Sequence, residues 1–256
     1  MAGETVGSVL ITGAARRIGR AVALDLARRG WAVAIHYNTS HADAEEVAAA
    51  IRSNGGRAVP VQGDLRRDDD VAALFPEAHR ALGPVTCLIN NASIFERDSP
   101  TTATKESWDL HMQVNLRAPF VLVQAFLAQL PDGQAGNVIN VIDERVWNLT
   151  PHFTSYTVSK AGLWALTQTL ALALAPNVRV NAIGPGPTLP SPRQTEEQFK
   201  RQWSSLPLRR RIGLEEICGA VRFILDAPSM TGQMIALDGG QHLGWASRSA
   251  GGGMDE

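Results

Sequence analysis

The sequence predicts an α/β fold in which one parallel sheet of seven strands is covered by helices on both faces. Short apolar runs alternate with longer segments of helical period, and the apolar runs are continuous stretches of Val, Ile and Leu. Strands separated by helices form right-handed crossovers, and strands buried on both faces need such continuous runs. The predicted strands are 8–13, 32–37, 58–64, 85–91, 137–143, 178–184 and 233–240.

Helices are predicted between these strands, at 19–29, 42–54, 69–82, 105–130, 155–175 and 214–226. No composition break or fixed-period repeat divides the chain, so we expect one domain over residues 1–246 and a disordered tail over 247–256. A Pro-rich stretch follows the sixth strand. Because ligands of doubly wound sheets bind beyond the carboxyl ends of the strands, it predicts a substrate loop at about 187–211.

Composition argues against several classes of protein. The 256 residues carry a formal net charge of -1, which disfavours a nucleic-acid binder. Cys87 and Cys218 lie far apart in apolar surroundings, so we expect buried thiols and neither a disulfide framework nor a metal site. The N-terminus lacks the basic segment of a secretory signal, and the longest apolar stretch is too short to cross a bilayer. We therefore expect a soluble cytoplasmic protein with no membrane partner.

The turn after the first strand reads "TGAARRIG", residues 12–19. Gly13 ends the strand and Ile18 begins a helix, whose N-terminal amides and dipole together would hold an anion. The spacing from Gly13 to Gly19 is not that of the usual dinucleotide fingerprint. The turn alone therefore does not distinguish a phosphate site from an ordinary loop.

The second strand lacks the terminal acid that an NAD site uses to bind the ribose hydroxyls. It ends in "HYNTS", residues 36–40, and no carboxylate follows before Asp43. Donors and positive charge come instead from His36, Asn38, Thr39, Ser40, Arg16 and Arg17. This favours the 2'-phosphate of NADP over the free hydroxyl of NAD.

Polar or small residues also follow the third and fourth strands. The third ends in Asp64-Leu65, and Asp64 can accept a hydrogen bond from an adenine amino group. The fourth ends in "NNAS", residues 90–93, whose small side chains let the backbone approach a ribose. Because the carboxyl ends of parallel strands meet at one edge of a sheet, these residues predict one crevice.

The stretch "SYTVSK", residues 155–160, places Tyr156 and Lys160 four apart at the start of a helix, and therefore on one face. An ammonium beside a phenol lowers the pKa of the phenol, which suits a proton donor. Such a pair is also common on helix surfaces. Asp143 ends the preceding strand, and Asn115 lies in the long helix after the fourth strand.

The order of these motifs resembles the short-chain dehydrogenase/reductase superfamily over about residues 6–245. The resemblance is carried by Thr12-Gly13 to Gly19, "NNA" at 90–92, Asn115, Tyr156 with Lys160, and "PG" at 185–186. It implies a single Rossmann-type domain, a nicotinamide cofactor and a homotetramer. It also implies that Tyr156 is the proton donor, Lys160 its activator and ribose ligand, and Asn115 the holder of a proton-relay water.

Two departures narrow the resemblance. The superfamily usually has glycine where Arg17 stands and a catalytic serine where Asp143 stands. Both substitutions, with "IHY", "NASIF" and "LPLRRR", resemble pteridine reductases and bacterial dihydromonapterin/dihydrofolate reductases. The expected cofactor contacts are Gly13, Arg16, Arg17, Ile18, His36, Tyr37, Asn38, Ser40, Asp64, Leu65, Asn91, Ala92, Ser93, Tyr156, Lys160, Pro185, Gly186 and Thr188. The expected substrate contacts are Arg17, Ser93, Phe95, Asp143, Tyr156, Leu189 and Trp203.

The two departures make chemical sense for a pterin. An ionised Asp143 can only accept hydrogen bonds, so it suits Tyr156 or an NH-rich ring better than a ketone oxygen. It can also help relay a proton to a ring nitrogen. Phe95 offers a face against which a flat ring stacks. The guanidinium of Arg17 can pair with a cofactor phosphate and reach the polar edge of the pterin.

The sequence therefore predicts NADPH-dependent reduction of dihydromonapterin, dihydrobiopterin or dihydrofolate. A generic carbonyl reductase of 3-oxoacyl or sugar type is one alternative, and Asp143 in place of serine argues against it. A non-catalytic NADP sensor is another, and the retained Asn115, Tyr156 and Lys160 argue against that. Three local questions stay open. Ser93 either binds substrate or only turns the chain, and Phe199 and Trp203 form either a lid or simple helix packing. Residues 209–211 are either solvated surface or a clamp for a folate glutamate.

Overall fold

The computed structural model describes residues 6–244, so the predicted tail lies outside the described residues. One sheet contains seven strands, all paired in parallel, in the order β3-β2-β1-β4-β5-β6-β7. The strands are β1 Gly7–Ile11, β2 Trp31–Tyr37, β3 Ala58–Gln62, β4 Cys87–Asn90, β5 Gly136–Val141, β6 Val178–Pro185 and β7 Met234–Leu237. The predicted fold class is confirmed.

Eight α-helices connect these strands in the described part of the chain. They are α1 Arg17–Arg28, α2 His41–Ser53, α3 Asp68–Leu82, α4 Lys105–Met112, α5 Ala118–Gln129, α6 Thr154–Leu174, α7 Glu196–Ser204 and α8 Leu214–Asp226. Within the described range, no helix is both long and apolar enough to cross a membrane.

The helix predicted over 105–130 is confirmed as continuous helical turns from 105 to 129, but it contains a π-helical turn that the sequence did not predict. A π-helical turn, Gln113–Arg117, separates α4 from α5, and the N–H of Ala118 donates to the carbonyl of Gln113, five residues earlier. Pro119 has no N–H to donate to the residue four before it, and its ring clashes with that carbonyl in an α-helix. The wider turn accommodates the proline.

Alternation along the strands sends side chains to two apolar layers. Val9 and Ile11 of β1 pack with α1, α2 and α8 on one face, whereas Leu10 packs with α3, α5 and α6 on the other. Both layers are fully buried at these strand positions. Because helices cover both faces of the sheet, we expect a binding site at its carboxyl edge.

Thr12 joins the carboxyl ends of β1 and β4, between which the strand order reverses. Its hydroxyl oxygen accepts from the backbone N–H groups of Asn91 and Ala92, both at 2.9 Å. The amide of Asn91 donates in return to the carbonyl of Thr12 at 2.8 Å. A reversal of this kind is where doubly wound sheets form a ligand crevice.

Candidate functional site

A cavity of about 460 Å³ opens at this carboxyl edge. The predicted contacts that line it are Gly13, Arg16, Arg17, Ile18, Asn91, Ala92, Ser93, Phe95, Asp143, Tyr156, Lys160, Pro185, Gly186, Thr188 and Leu189. The carboxyl ends of β1, β4, β5 and β6 thus meet in one cavity, whereas the residues predicted for the crevice at the ends of β2 and β3 lie outside its lining.

The β1–α1 turn is compact because of its glycines. Gly13 adopts a left-handed φ of +64°. A Cβ atom on Gly19 would lie 2.4 Å from the carbonyl oxygen of Gly13, so a larger residue at 19 would push the helix off the turn. Arg16, at the N-cap of α1, directs its guanidinium to Asp43 at 2.6 Å instead of capping the helix. The positive end of α1 therefore faces the cavity.

Arg17 takes a conformation that favours glycine. Its φ of +54° lies in the left-handed region, which costs a non-glycine residue roughly 1–2 kcal/mol. Its guanidinium crosses the cavity mouth and donates to the carbonyl oxygens of Leu189, at 3.3 Å, and Pro190, at 2.9 Å. Arg17 therefore links the β1–α1 turn to the loop that follows β6.

The prediction that the side chain of His36 donates to the cofactor is corrected by the structure. His36 is buried, and its Nδ1 accepts the backbone N–H of Gly13 at 3.0 Å. Its Nε2–H then donates to the carbonyl of Gly63, also at 3.0 Å. Burial lowers the pKa of His36 to about 4, which keeps the ring neutral. His36 therefore stabilises the Gly13 turn from the protein interior.

Two further predicted cofactor contacts point into the protein. Tyr37 is buried and its hydroxyl lies 2.8 Å from Nδ1 of His41, and Leu65 is buried as well. At these positions only the backbone can reach the crevice. Asn38 is exposed and Ser40 half-buried at the carboxyl end of β2, outside the main cavity.

Asp64 lies at the same edge and is paired with Arg66. Nε of Arg66 donates to both carboxylate oxygens, at 2.9 and 2.8 Å. This pairing holds the pKa of Asp64 below its usual range. The carboxylate keeps further lone pairs for the predicted contact with an adenine amino group.

Asp143 and Tyr156 form the centre of the site. The hydroxyl of Tyr156 donates to Oδ2 of Asp143 at 2.7 Å. Oδ1 of Asp143 accepts the backbone N–H of Arg145 at 2.9 Å, which caps the short 3-10 helix Glu144–Val146. The carboxylate is thus fixed by the cap and presents its other oxygen to the phenol.

Lys160 lies beneath this pair. It is buried, donates to the carbonyl of Val141 at 2.9 Å, and has its Nζ 5.9 Å from the centre of the Tyr156 ring. Burial lowers the pKa of Lys160 to about 8, and the nearby charge of Asp143 opposes that shift. The amino group of Lys160 therefore lies close to the phenol, with burial and the charge of Asp143 acting on its pKa in opposite directions.

Asn115 is buried in the π-helical turn. Its Oδ1 accepts the N–H of Ile94 at 2.8 Å, and its Nδ2 donates to the carbonyl of Ile94 at 3.0 Å and to Oγ of Ser159 at 3.1 Å. The side chain thus joins the loop after β4 to α6. The relay water predicted at Asn115 stays a prediction.

Phe95 belongs to an aromatic cluster at the cavity wall. It stacks on Phe153 with ring centres 4.4 Å apart, and its contact with Tyr156 is edge-on at 4.7 Å. The guanidinium of Arg145 lies 5.0 Å from the ring centre of Phe153. Phe153 and Arg145 were not predicted, since neither belongs to a motif and only the tertiary fold brings them to Phe95.

The predicted substrate contact of Trp203 is also corrected. Trp203 packs against the hydrophobic core beside α8. Among the described residues of α7, Phe199 and Gln202 line the cavity instead. The reason is the orientation of α7, which buries Phe199 towards the cavity. Other lining residues that the sequence did not indicate are Val141, Ile142, Glu144, Arg145 and Gln241, whereas Pro187, Ser191 and Gln194 belong to the loop predicted at about 187–211.

Comparison with known proteins agrees with this geometry. The family model "short chain dehydrogenase" matches residues 7–201. Alternative dihydrofolate reductase 1 (FolM) of Brucella canis, solved with NADP, is 49% identical with a TM-score of 0.93, over 96% of this chain and 98% of that one. The Brucella suis counterpart, also with NADP, is 50% identical with a TM-score of 0.92, over 95% and 98% of the chains.

Relatives at lower identity also span almost the whole chain. The 3-oxoacyl-[acyl-carrier-protein] reductase FabG of Staphylococcus epidermidis is 31% identical over 241 residues, which cover 92% of this chain and 99% of that protein. The family model alone spans most of the chain, from the first strand to α7. The chain belongs to the short chain dehydrogenase family.

Proposed function

We propose that the protein reduces a pterin with NADPH, taking dihydromonapterin, dihydrobiopterin or dihydrofolate to its tetrahydro form. The observation that carries the proposal is the 2.7 Å hydrogen bond from the Tyr156 hydroxyl to Oδ2 of Asp143, beside the ring of Phe95. The family relationship supports an oxidoreductase, and the FolM structures support the pterin class.

The residues of the crevice fit a dinucleotide phosphate. The tight approach of Gly19 to Gly13 leaves the first amides of α1 free of side-chain cover, so a diphosphate can lie against them. Ile18, Arg17 and Lys160 would hold the cofactor along the cavity. When bound, NADPH supplies the hydride. The absence of a carboxylate between 36 and 42 suits its 2'-phosphate.

Three residues of this chain would hold and transfer the proton. Tyr156 carries it on the phenol oxygen and holds it towards Asp143. The Lys160 ammonium stabilises negative charge on that oxygen once the proton has left. Asp143, as an ionised acceptor, orients ring N–H groups of the substrate. Phe95 excludes water from one side and offers an apolar face for the ring.

A carbonyl reductase is the second candidate, because relatives such as FabG are 31% identical. Such a reaction needs a donor for the ketone oxygen, and Asp143 offers a lone pair where a donor is required. A non-catalytic sensor of NADP would have no need for the buried Lys160 beneath a phenol. We favour the pterin for these reasons.

Oxidation of NADPH, followed by its absorbance, tests the proposal. Purified protein is given 7,8-dihydromonapterin, 7,8-dihydrobiopterin and dihydrofolate, and in parallel a 3-oxoacyl thioester. We expect turnover with at least one pterin and little with the thioester. Turnover of the thioester alone would make the carbonyl reductase the better assignment, and binding of NADPH without any turnover would favour the sensor.

The resemblance also implies a homotetramer, which we retain as part of the proposal. Light scattering of the purified protein across a range of concentrations checks it, and a monomer at all concentrations would contradict it.

A further inference from the structure

A buried histidine that the proposed chemistry does not use lies behind the aromatic wall. His111, on α4, is fully buried. Its Nε2 accepts the backbone N–H of Glu96 at 3.1 Å, and its Nδ1 lies 2.8 Å from Oγ of Ser155 and 2.9 Å from the carbonyl of Ser107. Because Nε2 accepts, the ring is neutral with its proton on Nδ1.

The hydrogen bonds that start at His111 continue through Ser155 to Asp98. Ser155 donates its hydroxyl hydrogen to Oδ2 of Asp98, so its oxygen accepts from His111. Oδ1 of Asp98 accepts the backbone N–H of Ser155 at 3.2 Å, an amide in the first turn of α6 that has no partner within the helix. Asp98 is itself buried, against the positive end of α6. Each donor in the chain from Glu96 to Asp98 meets an acceptor.

This arrangement repeats the one that Asn115 makes one helical turn later. Asn115 holds Ile94 on one side and Ser159 on the other. His111 stands four residues before Asn115, so the two side chains lie on the same helical face. The helix segment 111–115 therefore connects the loop after β4 to α6 twice, once through His111 and once through Asn115.

Phe95 lies between the two loop residues that are held, Ile94 and Glu96. Tyr156 directly follows Ser155, which is the residue held on the other side. The two rings meet edge-on with centres 4.7 Å apart and planes at 76°. A shift of Glu96 relative to Ser155 would change this contact.

We propose that His111 is a positioning residue, which fixes the ring of Phe95 against that of Tyr156 and so sets where a flat substrate stacks. The inference deepens the proposed function and rests on it for the identity of that substrate. We expect cofactor binding not to depend on His111, because the cavity lining at the β1–α1 turn comes from Gly13, Arg17 and Ile18, which His111 does not contact.

Three variants test this role. His111→Leu removes both hydrogen bonds, whereas His111→Gln keeps an acceptor for Glu96 and a donor for Ser155. The control is Thr167→Val on α6, because Thr167 is equally buried and its bonds, to Asn140 and Leu163, lie away from the loop. Each variant is compared with the wild type by amide exchange of peptides covering 94–98, NADPH affinity, KM and kcat.

We expect faster exchange at 94–98 in His111→Leu and near-normal exchange in His111→Gln and Thr167→Val. The KM for the dihydropterin should rise about two- to tenfold in His111→Leu, the range that one aromatic stacking contact supplies. The kcat and the NADPH affinity should stay within about twofold, because Tyr156 keeps its bond to Asp143.

The role is overturned if exchange at 94–98 and KM in His111→Leu match those of Thr167→Val. It is also overturned if KM is unchanged in His111→Leu while kcat falls. A wild type that reduces no dihydropterin would defeat the proposed function, whereas the exchange measurement would still decide whether His111 positions the loop.

Discussion

His36 and Gly13 are joined by a hydrogen bond from the backbone N–H of Gly13 to Nδ1 of His36, 3.0 Å long. This bond fixes the left-handed glycine at the start of the β1–α1 turn. It also requires a neutral imidazole, since a protonated Nδ1 cannot accept. The turn therefore depends on the protonation state of a residue that lies outside the cavity.

The first prediction is that acid destabilises the fold through His36. Burial lowers its pKa from 6.5 to about 4, so between these values the unfolded chain binds more protons than the folded one. The stability that neutral His36 contributes is complete above pH 6.5 and is lost as the pH falls towards 4. The free energy of unfolding should fall by up to about 1.4 kcal/mol per pH unit over that window.

Urea unfolding at several pH values measures this slope. His36→Gln should have a shallower slope, with buried His111 contributing to what remains, and His79→Gln, which alters an exposed histidine, should keep the wild-type slope. Equal slopes in the wild type and His36→Gln would show that other groups cause the acid sensitivity.

The second prediction concerns the choice of cofactor. A carboxylate at position 38, at the exposed end of β2, should repel the 2'-phosphate of NADPH. It should still accept a hydrogen bond from the ribose hydroxyl of NADH. Asn38→Asp should therefore weaken NADPH binding roughly tenfold and bring the NADH affinity closer to it. Titration calorimetry of both nucleotides provides the affinities.

Asn54→Asp is the matched control, because it makes the same charge change at the other end of α2. It should leave the ratio of the two affinities near that of the wild type. A similar ratio in both variants would place the 2'-phosphate elsewhere.

The site shows which features sequence patterns can and cannot predict. The strands are predictable because burial on both faces requires continuous apolar runs such as Val9–Ile11. Tyr156 and Lys160 are predictable because a spacing of four puts them on one helical face. The π-helical turn before Pro119 is also encoded locally by the proline, but the apolar period continues through it and predicts an uninterrupted α-helix.

Other features depend on the tertiary structure. The sequence "HYNTS" offers His36 as a polar group at a strand end, but the pairing of β2 between β1 and β3 encloses it. Phe153 reaches Phe95 only because Asp98 binds the backbone of Phe153 and Ser155 across more than fifty residues of chain. No local pattern records such contacts.

The third prediction is that Tyr156→Phe abolishes most of the turnover. The change keeps the ring that contacts Phe95 and removes only the hydroxyl that donates to Asp143. Loss of a general acid costs roughly 10²–10⁴-fold in rate. Single-turnover measurement of NADPH oxidation should show this loss, with NADPH affinity on the same preparation within about threefold of the wild type. A near-normal rate would mean that the proton comes from another group.

The last prediction separates a pterin reductase from a carbonyl reductase at the residue where the chain departs from its wider family. Asp143→Ser removes the carboxylate that accepts from Tyr156 and caps Glu144–Val146, and it supplies a hydroxyl that can donate to a ketone. Dihydropterin turnover should fall by at least about 10²-fold, the lower range for a lost proton-transfer partner.

Asp143→Asn removes the charge and keeps both the size of the side chain and its cap. Its Oδ1 still accepts the N–H of Arg145, so the 3-10 helix should keep its stability, worth about 1 kcal/mol for a cap of this kind. The Nδ2 group of the amide is a donor and cannot accept the hydrogen bond from Tyr156, so turnover should fall almost as far as in Asp143→Ser. If Asp143→Asn and Asp143→Ser both keep wild-type dihydropterin kinetics, the carboxylate has no part in the reaction and the pterin assignment loses its main support.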